Sequence, residues 1–222
     1  MQISQTSTLS DLAIRIPAAS RVFRDYGLDF CCHGRRPLEL ACTERGIDPD
    51  GVLAEIEKAS PSGDPPATHW LEAPLDELCD FIETRYHAKL RDELPALREL
   101  AKKVDEAHAN HEARPVDLSP LLAAIHTAVL EHLEKEEQVL FPAIRQGIGR
   151  GAAGPVQCME AEHDEHGKNL ARLRKMANDF TPPEDACPTW RALYLRLDEL
   201  EAELMEHINL ENNVLFPRAL CA

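Results

Sequence analysis

The sequence predicts an all-α protein: a small N-terminal helical domain followed by an up-down four-helix bundle. Three observations carry this. Apolar residues recur at helical 3–4 spacing over long stretches after residue 71, with no comparable period-2 strand pattern. The connections between those stretches are short, which favours antiparallel neighbours. One segment occurs twice, HLEKEEQVLFP at 132–142 and HINLENNVLFP at 207–217, aligned without a gap.

Residues 1–59 read as the N-terminal unit. Leu9, Leu12, Ala13 and Ile16 form a stripe that stops before Pro17. Val22, Phe23 and Tyr26 form a second, closed by Gly27 as a left-handed cap. Pro37 is placed to open a third helix and Gly46 to end it. Val52, Leu53 and Ile56 carry a fourth after Asp48-Pro49. So small a unit needs support from the bundle or from a second copy, so a homodimer is an expectation. Residues 60–70, beginning SPSGDPPAT, read as an extended Pro-rich linker, and Trp70 marks the edge of the bundle domain at 71–222.

The first bundle helix carries Leu75, Leu78, Cys79, Ile82 and Tyr86, then Leu90, Leu94 and Leu97, with Pro95 as a candidate kink. The second is expected to start at Ser119 as N-cap with Pro120 at the first position. The Gly-rich run 147–154 reads as a loop. The third helix runs from about Pro155 to the break at Pro182-Pro183. The fourth opens near Pro188 and places Leu193, Leu197, Leu200, Leu204, His207 and Glu211 on one stripe.

Composition narrows the function classes. With 24 basic and 39 acidic residues the net charge is −15, which repels nucleic acids and anionic membranes. No basic n-region precedes an apolar run at the N-terminus, and no stretch is long enough to span a bilayer. The expected location is the cytoplasm. There, seven cysteines point to thiols rather than a disulfide framework.

The repeated segment points to metal. His and Glu at i and i+4 lie on one helix face, a turn apart. A single such pair is ordinarily a solvated ion pair. Two aligned copies, each preceded at nearly equal distance by a lone histidine (His87 and His163), put a polar group on the apolar stripe of all four helices. Polar groups there are costly unless paired or metal-bound. The candidate ligands are His87, His132, Glu136, His163, His207 and Glu211. Four imidazoles and two carboxylates are too many for one tetrahedral zinc, and no cysteine stands at ligand spacing. Two metals bridged by carboxylates suit such a bundle interior, with iron or manganese as the precedents. Pseudo-symmetry pairs His87 with His207 and His132 with His163, with Glu136 and Glu211 bridging, though side-chain geometry can exchange the partners.

The H-x3-E/LFP repeats with their lone histidines resemble the hemerythrin-like domain of the RIC (repair of iron centres) family, YtfE/ScdA type. The stretch FRDYGLDFCCHG resembles that family's short N-terminal Cys-Cys domain. The similarity covers nearly the whole chain, and it implies a hemerythrin-like fold with two non-haem iron ions under an oxo or hydroxo bridge. It implies a role in restoring iron–sulfur clusters damaged by nitric oxide or oxidants, with damaged iron–sulfur proteins as partners and nitric oxide as a small-molecule ligand. Oxygen-carrying hemerythrins have a further histidine one turn after the third-helix ligand, and a His-x4-Asp on the fourth helix. Here Gly167 occupies the first of those positions and H-x3-E replaces the second. Losing that imidazole is expected to leave room for a small molecule and to ease iron release. His166, three residues from His163, is a minor alternative ligand.

Several residues flank this set. Glu137 and Glu162 adjoin ligands and are candidates for supporting them or for an iron exit path; the bland reading is a solvated helix carboxylate. Cys31 and Cys32 with Glu162 are the candidate catalytic residues. Adjacent cysteines suit reversible redox or transient metal and nitrosyl binding better than bracing. Gly27 and Gly34 let the chain turn around them, His33 is a third ligand candidate, and Arg35 and Arg36 are placed to stabilise thiolates. Cys42, Cys79, Cys158, Cys187 and Cys221 read as structural, and His108, His111 and His126 as surface or packing residues. Three functions fit. The preferred one is cluster repair by supplying iron. The alternatives are reduction of nitric oxide to nitrous oxide at the di-iron centre, and a non-enzymatic sensor or scavenger of nitric oxide or oxygen.

Overall fold

The structure is a computed structural model that describes residues 4–59 and 67–221, and no strand occurs among them. Four short helices come first: α1 (Leu9–Arg15), α2 (Pro17–Asp25), α3 (Leu38–Thr43) and α4 (Pro49–Ala59). The Thr8 side chain caps α1 by accepting the Asp11 N–H, and Pro17 opens α2 where its missing N–H costs nothing. Gly27 and Gly46 end their helices at φ of 64° and 68°. Pro37 stands one residue before α3 rather than inside it.

Of the linker segment, residues 60–66 lie outside the described residues. Residues 67–70 are not extended: Ala67–Leu71 is a 3-10 turn, with the Trp70 ring 4.6 Å from that of Phe81 and its carbonyl accepting from Arg218 Nη1.

The bundle begins with α5 (Leu75–Ile82), a π-helical turn (Glu83–His87) and α6 (Ala88–Ala107), which continues helical through Pro95. Next come α7 (Leu118–Lys135), a second π turn (Glu136–Leu140) and α8 (Phe141–Arg145). The third helix, α9 (Ala153–Met176), is α-helical throughout. Then follow α10 (Pro188–Leu210), a third π turn (Glu211–Leu215) and α11 (Phe216–Cys221). The helix α7 starts two residues earlier than the Ser119 cap would place it. Asp117 turns the chain at φ 65°, and Pro120 falls in the first turn, where it breaks no helical bond. The helix α9 stops at Met176, before Pro182-Pro183, because Asn178, Asp179 and Phe180 all take positive φ.

Adjacent bundle helices pack in a ring, α6 on α7, α7 on α9, α9 on α10 and α10 on α6, and α2 packs on α10. One buried cluster runs without a break from Phe23, Phe30 and Ile56 to Leu173, Leu197 and Leu204. The N-terminal helices thus complete their core on the bundle. The contact is latched by charge. Arg24 on α2 donates to the Asp198 carbonyl (2.8 Å) and reaches buried Glu201 on α10 (3.4 Å). Glu201 also accepts from Arg174 Nε (2.9 Å).

Candidate metal centre and its thiol neighbour

Two of the three π turns follow from the repeat itself. In each, the Phe of Leu-Phe-Pro donates its N–H five residues back, Phe141 to Glu136 and Phe216 to Glu211. The next residue is proline, which has no N–H and whose ring would strike the carbonyl four back in a regular helix. Widening the turn relieves that clash. A π turn inserts one residue, about 100° of helix rotation, so consecutive side chains after it reach targets that a regular helix would separate. The first π turn, where Ala88 donates to Glu83, has no such proline.

All six candidate ligands converge. His87, His163, Glu136 and Glu211 are fully buried and His132 and His207 nearly so. His87 Nε2 lies 3.2 Å from His207 Nε2, and His132 Nε2 lies 3.0 Å from His163 Nε2. Glu136 Oε2 is 3.4 Å from both His87 and His132. Glu211 is 2.9 Å from His207 through Oε1 and 3.3 Å from His163 through Oε2. The result is two groups of four, His87, Glu136, His207, Glu211 and His132, Glu136, His163, Glu211, sharing both carboxylates.

The repeat also builds the shell around these groups. His87 Nδ1–H donates to Glu137 (2.8 Å), and His163 Nδ1–H donates to Asn212 (2.7 Å). Glu137 and Asn212 are equivalent positions, each following the motif glutamate. The motif phenylalanines stack on the same two rings, Phe141 on His87 and Phe216 on His163. The residue before each lone histidine supports the opposite motif: Glu162 accepts from His132 Nδ1 (3.0 Å), and Tyr86 stacks on His207 at 5.2 Å. An Nδ1–H held this way leaves the Nε2 lone pair aimed inward. Glu162 and Glu137 are therefore not free surface carboxylates. Asn212 escaped the sequence reading, although aligning the copies one residue past the glutamate pairs it with Glu137, and Tyr86 was read only as part of the apolar stripe.

The interior carries acceptor atoms that a cation would satisfy. Glu136 Oε1 and Oε2 and Glu211 Oε2 are buried without a hydrogen-bond partner among the described residues. Burial and the charge of Glu211 push Glu136 well above the usual carboxylate range. Burial would raise Glu211 too, but the imidazoles of His207 and His163 outweigh it and hold Glu211 well below. Burial, with His163 beside it, drops His132 to about 3. Paired Nε2 atoms at 3.0–3.2 Å repel unless a proton or metal lies between them. Ligands about 2.1 Å from one octahedral metal sit roughly 3.0 Å apart at adjacent corners, so the spacing fits metal. The nitrogen and oxygen donors suit non-haem iron.

Residues 80–219 match the Hemerythrin HHE cation binding domain, and residues 5–60 match the ScdA_N domain, which is described as of unknown function. The iron-sulfur cluster repair protein YtfE of Escherichia coli O1:K1 is 45% identical over 212 residues, 96% of either chain. That of Escherichia fergusonii matches equally. The chain belongs to the YtfE family. The structure shows what stands at Gly167, the position where a further imidazole was expected to be missing. A Cβ on Gly167 would lie 3.6 Å from Cys32 Sγ, so the cysteine turn packs against the position where open room for a small molecule was expected. His166 is buried, with its ring 5.0 Å from that of His132, but it belongs to neither group of four.

In this YtfE-family chain the Cys31-Cys32 turn is seated against the candidate metal centre. The Cys32 thiol donates to the His163 carbonyl (3.5 Å), and the Cys31 carbonyl accepts from Asn212 Nδ2 (3.2 Å) and Asn213 Nδ2 (3.1 Å). Gly34 allows this approach, because a Cβ there would run into the Phe30 carbonyl and the Ser10 side chain. Arg35 and Arg36 do not stabilise the thiolates as expected. Arg35 donates to the Asn212 carbonyl and Arg36 pairs with Glu44. The charge facing Cys31 is the Asp29 carboxylate. The Cys32 hydrogen bond, burial and Asp29 together raise the Cys31 pKa well above its usual value. His33 binds Asp29 Oδ2 through Nδ1 (2.7 Å). Away from the centre, His108 and His111 pack on Trp190, and His126 lies 2.9 Å from Arg98. No helix among the described residues is long and apolar enough to cross a membrane.

Proposed function

We propose that the chain holds two non-haem irons in the bundle and supplies iron to iron–sulfur proteins damaged by nitrosative or oxidative stress. The observation that carries this is the pair of fully buried carboxylates, Glu136 and Glu211, each set between two inward-facing imidazoles. His87 and His207 would hold one iron, His132 and His163 the other, with both glutamates and an oxo or hydroxo group bridging. Such a centre supplies electron transfer and binding of small ligands such as nitric oxide. The residues of this chain set how firmly iron is kept. Glu137, Asn212 and Glu162 orient three imidazoles, while His207 Nδ1 has no such partner among the described residues. With Gly167 in place of a fifth imidazole, the His132–His163 side is one ligand short, which favours release. The Pro-rich segment 60–70 joins the N-terminal unit 1–59 to this store, and the working location is the cytoplasm. Iron-loaded protein should restore a damaged or apo cluster enzyme faster than an equal amount of free ferrous iron. His132→Ala and Glu211→Ala should lose both iron and repair. Full retention of two irons in both variants refutes the ligand set.

A second reading, reduction of nitric oxide to nitrous oxide, is favoured by the sharing of both carboxylates, which would set two metals side by side. Nitrous oxide released over many turnovers at constant protein iron selects it over donation.

A further inference from the structure

We propose that Asp29, Cys31 and Cys32 form a second, thiolate-based site for one divalent metal ion, seated on the bundle beside His163. Their ligand atoms lie within 4.8 Å of one another. The two sulfurs are 3.7 Å apart, and Cys31 Sγ is 3.3 Å from Asp29 Oδ1. Two sulfurs bound at about 2.3 Å to one tetrahedral metal lie roughly 3.8 Å apart, and a sulfur and a carboxylate oxygen roughly 3.5 Å. The three atoms already stand near the corners of a tetrahedron that one ion would occupy.

The groups are held in place before any ion arrives. Asp29 Oδ1 accepts the N–H groups of Cys31 (3.1 Å) and Cys32 (2.9 Å), and His33 fixes the other oxygen. Asparagine side chains of the second motif copy pin the Cys31 carbonyl from below. In the metal-free chain the Cys31 thiol proton points at Asp29, where the ion would sit. Binding one M²⁺ forms two metal–sulfur bonds and one metal–oxygen bond and releases both thiol protons to solvent. Two thiolates select thiophilic ions over magnesium or calcium.

The fourth corner is open. Cys31 is buried, but Cys32 is half-buried and, with Asp29 and His33, lines a cavity of about 680 Å³ that faces solvent. Three protein ligands and a free position suit an ion that arrives and leaves, whereas structural sites close all four. The site also shares Asn212 with the bundle, since that side chain holds both the Cys31 carbonyl and the His163 ring. If the bundle stores iron, the ion in transit is ferrous. Only that choice of cargo rests on the reading above.

The test titrates the reduced full-length chain with Co²⁺ under anaerobic conditions and follows thiolate-to-cobalt charge-transfer absorption. The expected result is a two-thiolate band, which in the His132→Ala/Glu211→Ala protein saturates at one equivalent. Cys32→Ser should abolish that band, Asp29→Asn should weaken binding at least tenfold while keeping the turn, and Cys158→Ser, at an exposed thiol, should change nothing. The His132→Ala/Glu211→Ala protein should keep the band while binding no metal in the bundle, so the two readings fail separately. No thiolate band in the parent chain, or one that survives Cys32→Ser, overturns the proposal.

Discussion

Gly167 faces the cysteine turn, and two substitutions there test what that contact does. It lies inside α9, one turn after His163, where glycine costs about 0.5–1 kcal/mol relative to alanine. A Cβ would meet Cys32 Sγ at 3.6 Å, an ordinary van der Waals contact, so Gly167→Ala recovers the helix term without a clash. For a chain of this size, about 2–4 °C of melting temperature corresponds to 1 kcal/mol, so a rise of about 1–4 °C is expected. Gly167→His adds a whole imidazole in the volume of the cysteine turn. Overpacking costs about 1–3 kcal/mol, more than the helix term returns, so the turn lifts from the bundle. The expected result is a lower melting temperature and a Cys32 that reacts faster with an aromatic disulfide, while Gly167→Ala reacts at the parental rate. A Gly167→His protein as stable as the parent, with unchanged thiol reactivity, would refute the idea that the turn packs against this position.

The remaining predictions concern the latch, the buried histidines and the ligand supports. Glu201→Leu strips half-buried Arg24 and Arg174 of their shared carboxylate and leaves Asp198, with Asp179 at 3.9 Å from Arg174, so unfolding by urea should show a loss of about 3 kcal/mol. In metal-free protein, burial and then the charge of His163 push His166 down to about 4, whereas the unfolded histidine titrates near its ordinary 6.5. The unfolded chain therefore binds the extra proton between those values, and stability falls as pH drops through that window. The loss from this residue should reach about 2 kcal/mol at pH 5, and His166→Leu should remove that component from urea melts at pH 7 and pH 5. Glu162→Leu and Asn212→Leu each remove an Nδ1 partner and should weaken iron binding about 10–100-fold, read by competition with a chelator. Unchanged affinity in both would mean that the imidazoles are held by packing alone.

Much of this architecture was legible in local pattern. Helical periodicity placed the four long helices, and proline and glycine marked most of their ends, because backbone chemistry acts within a few residues. Two of the ends that differed, at Ser119 and at Pro182-Pro183, were moved by residues in left-handed conformation, Asp117 and the run Asn178–Phe180, while part of the expected loop 147–154 is helical, as Gly149–Ala152 and the start of α9. None of the four left-handed residues is a glycine; Asp117, Asn178 and Asp179 are of the types that adopt this conformation next most readily, but Phe180 is not.

The candidate metal ligands were legible for a different reason. A repeat writes the same face twice, and two-fold placement leaves little freedom in what can meet. The sequence by itself therefore determined the helical class and the identity of six inward polar groups. Tertiary structure decided what surrounds them. The π turns, the Nδ1 acceptors Glu137, Asn212 and Glu162, and the Arg24–Glu201 latch depend on which faces touch across many residues. So does the environment of the cysteines. Two arginines beside Cys31-Cys32 pointed to thiolates, yet the fold turns both away and faces Cys31 with Asp29, because side chains adjacent in sequence leave a tight turn in different directions. The same fold sets Cys32 against Gly167, a contact between residues 135 positions apart whose meaning lies only in the space they share.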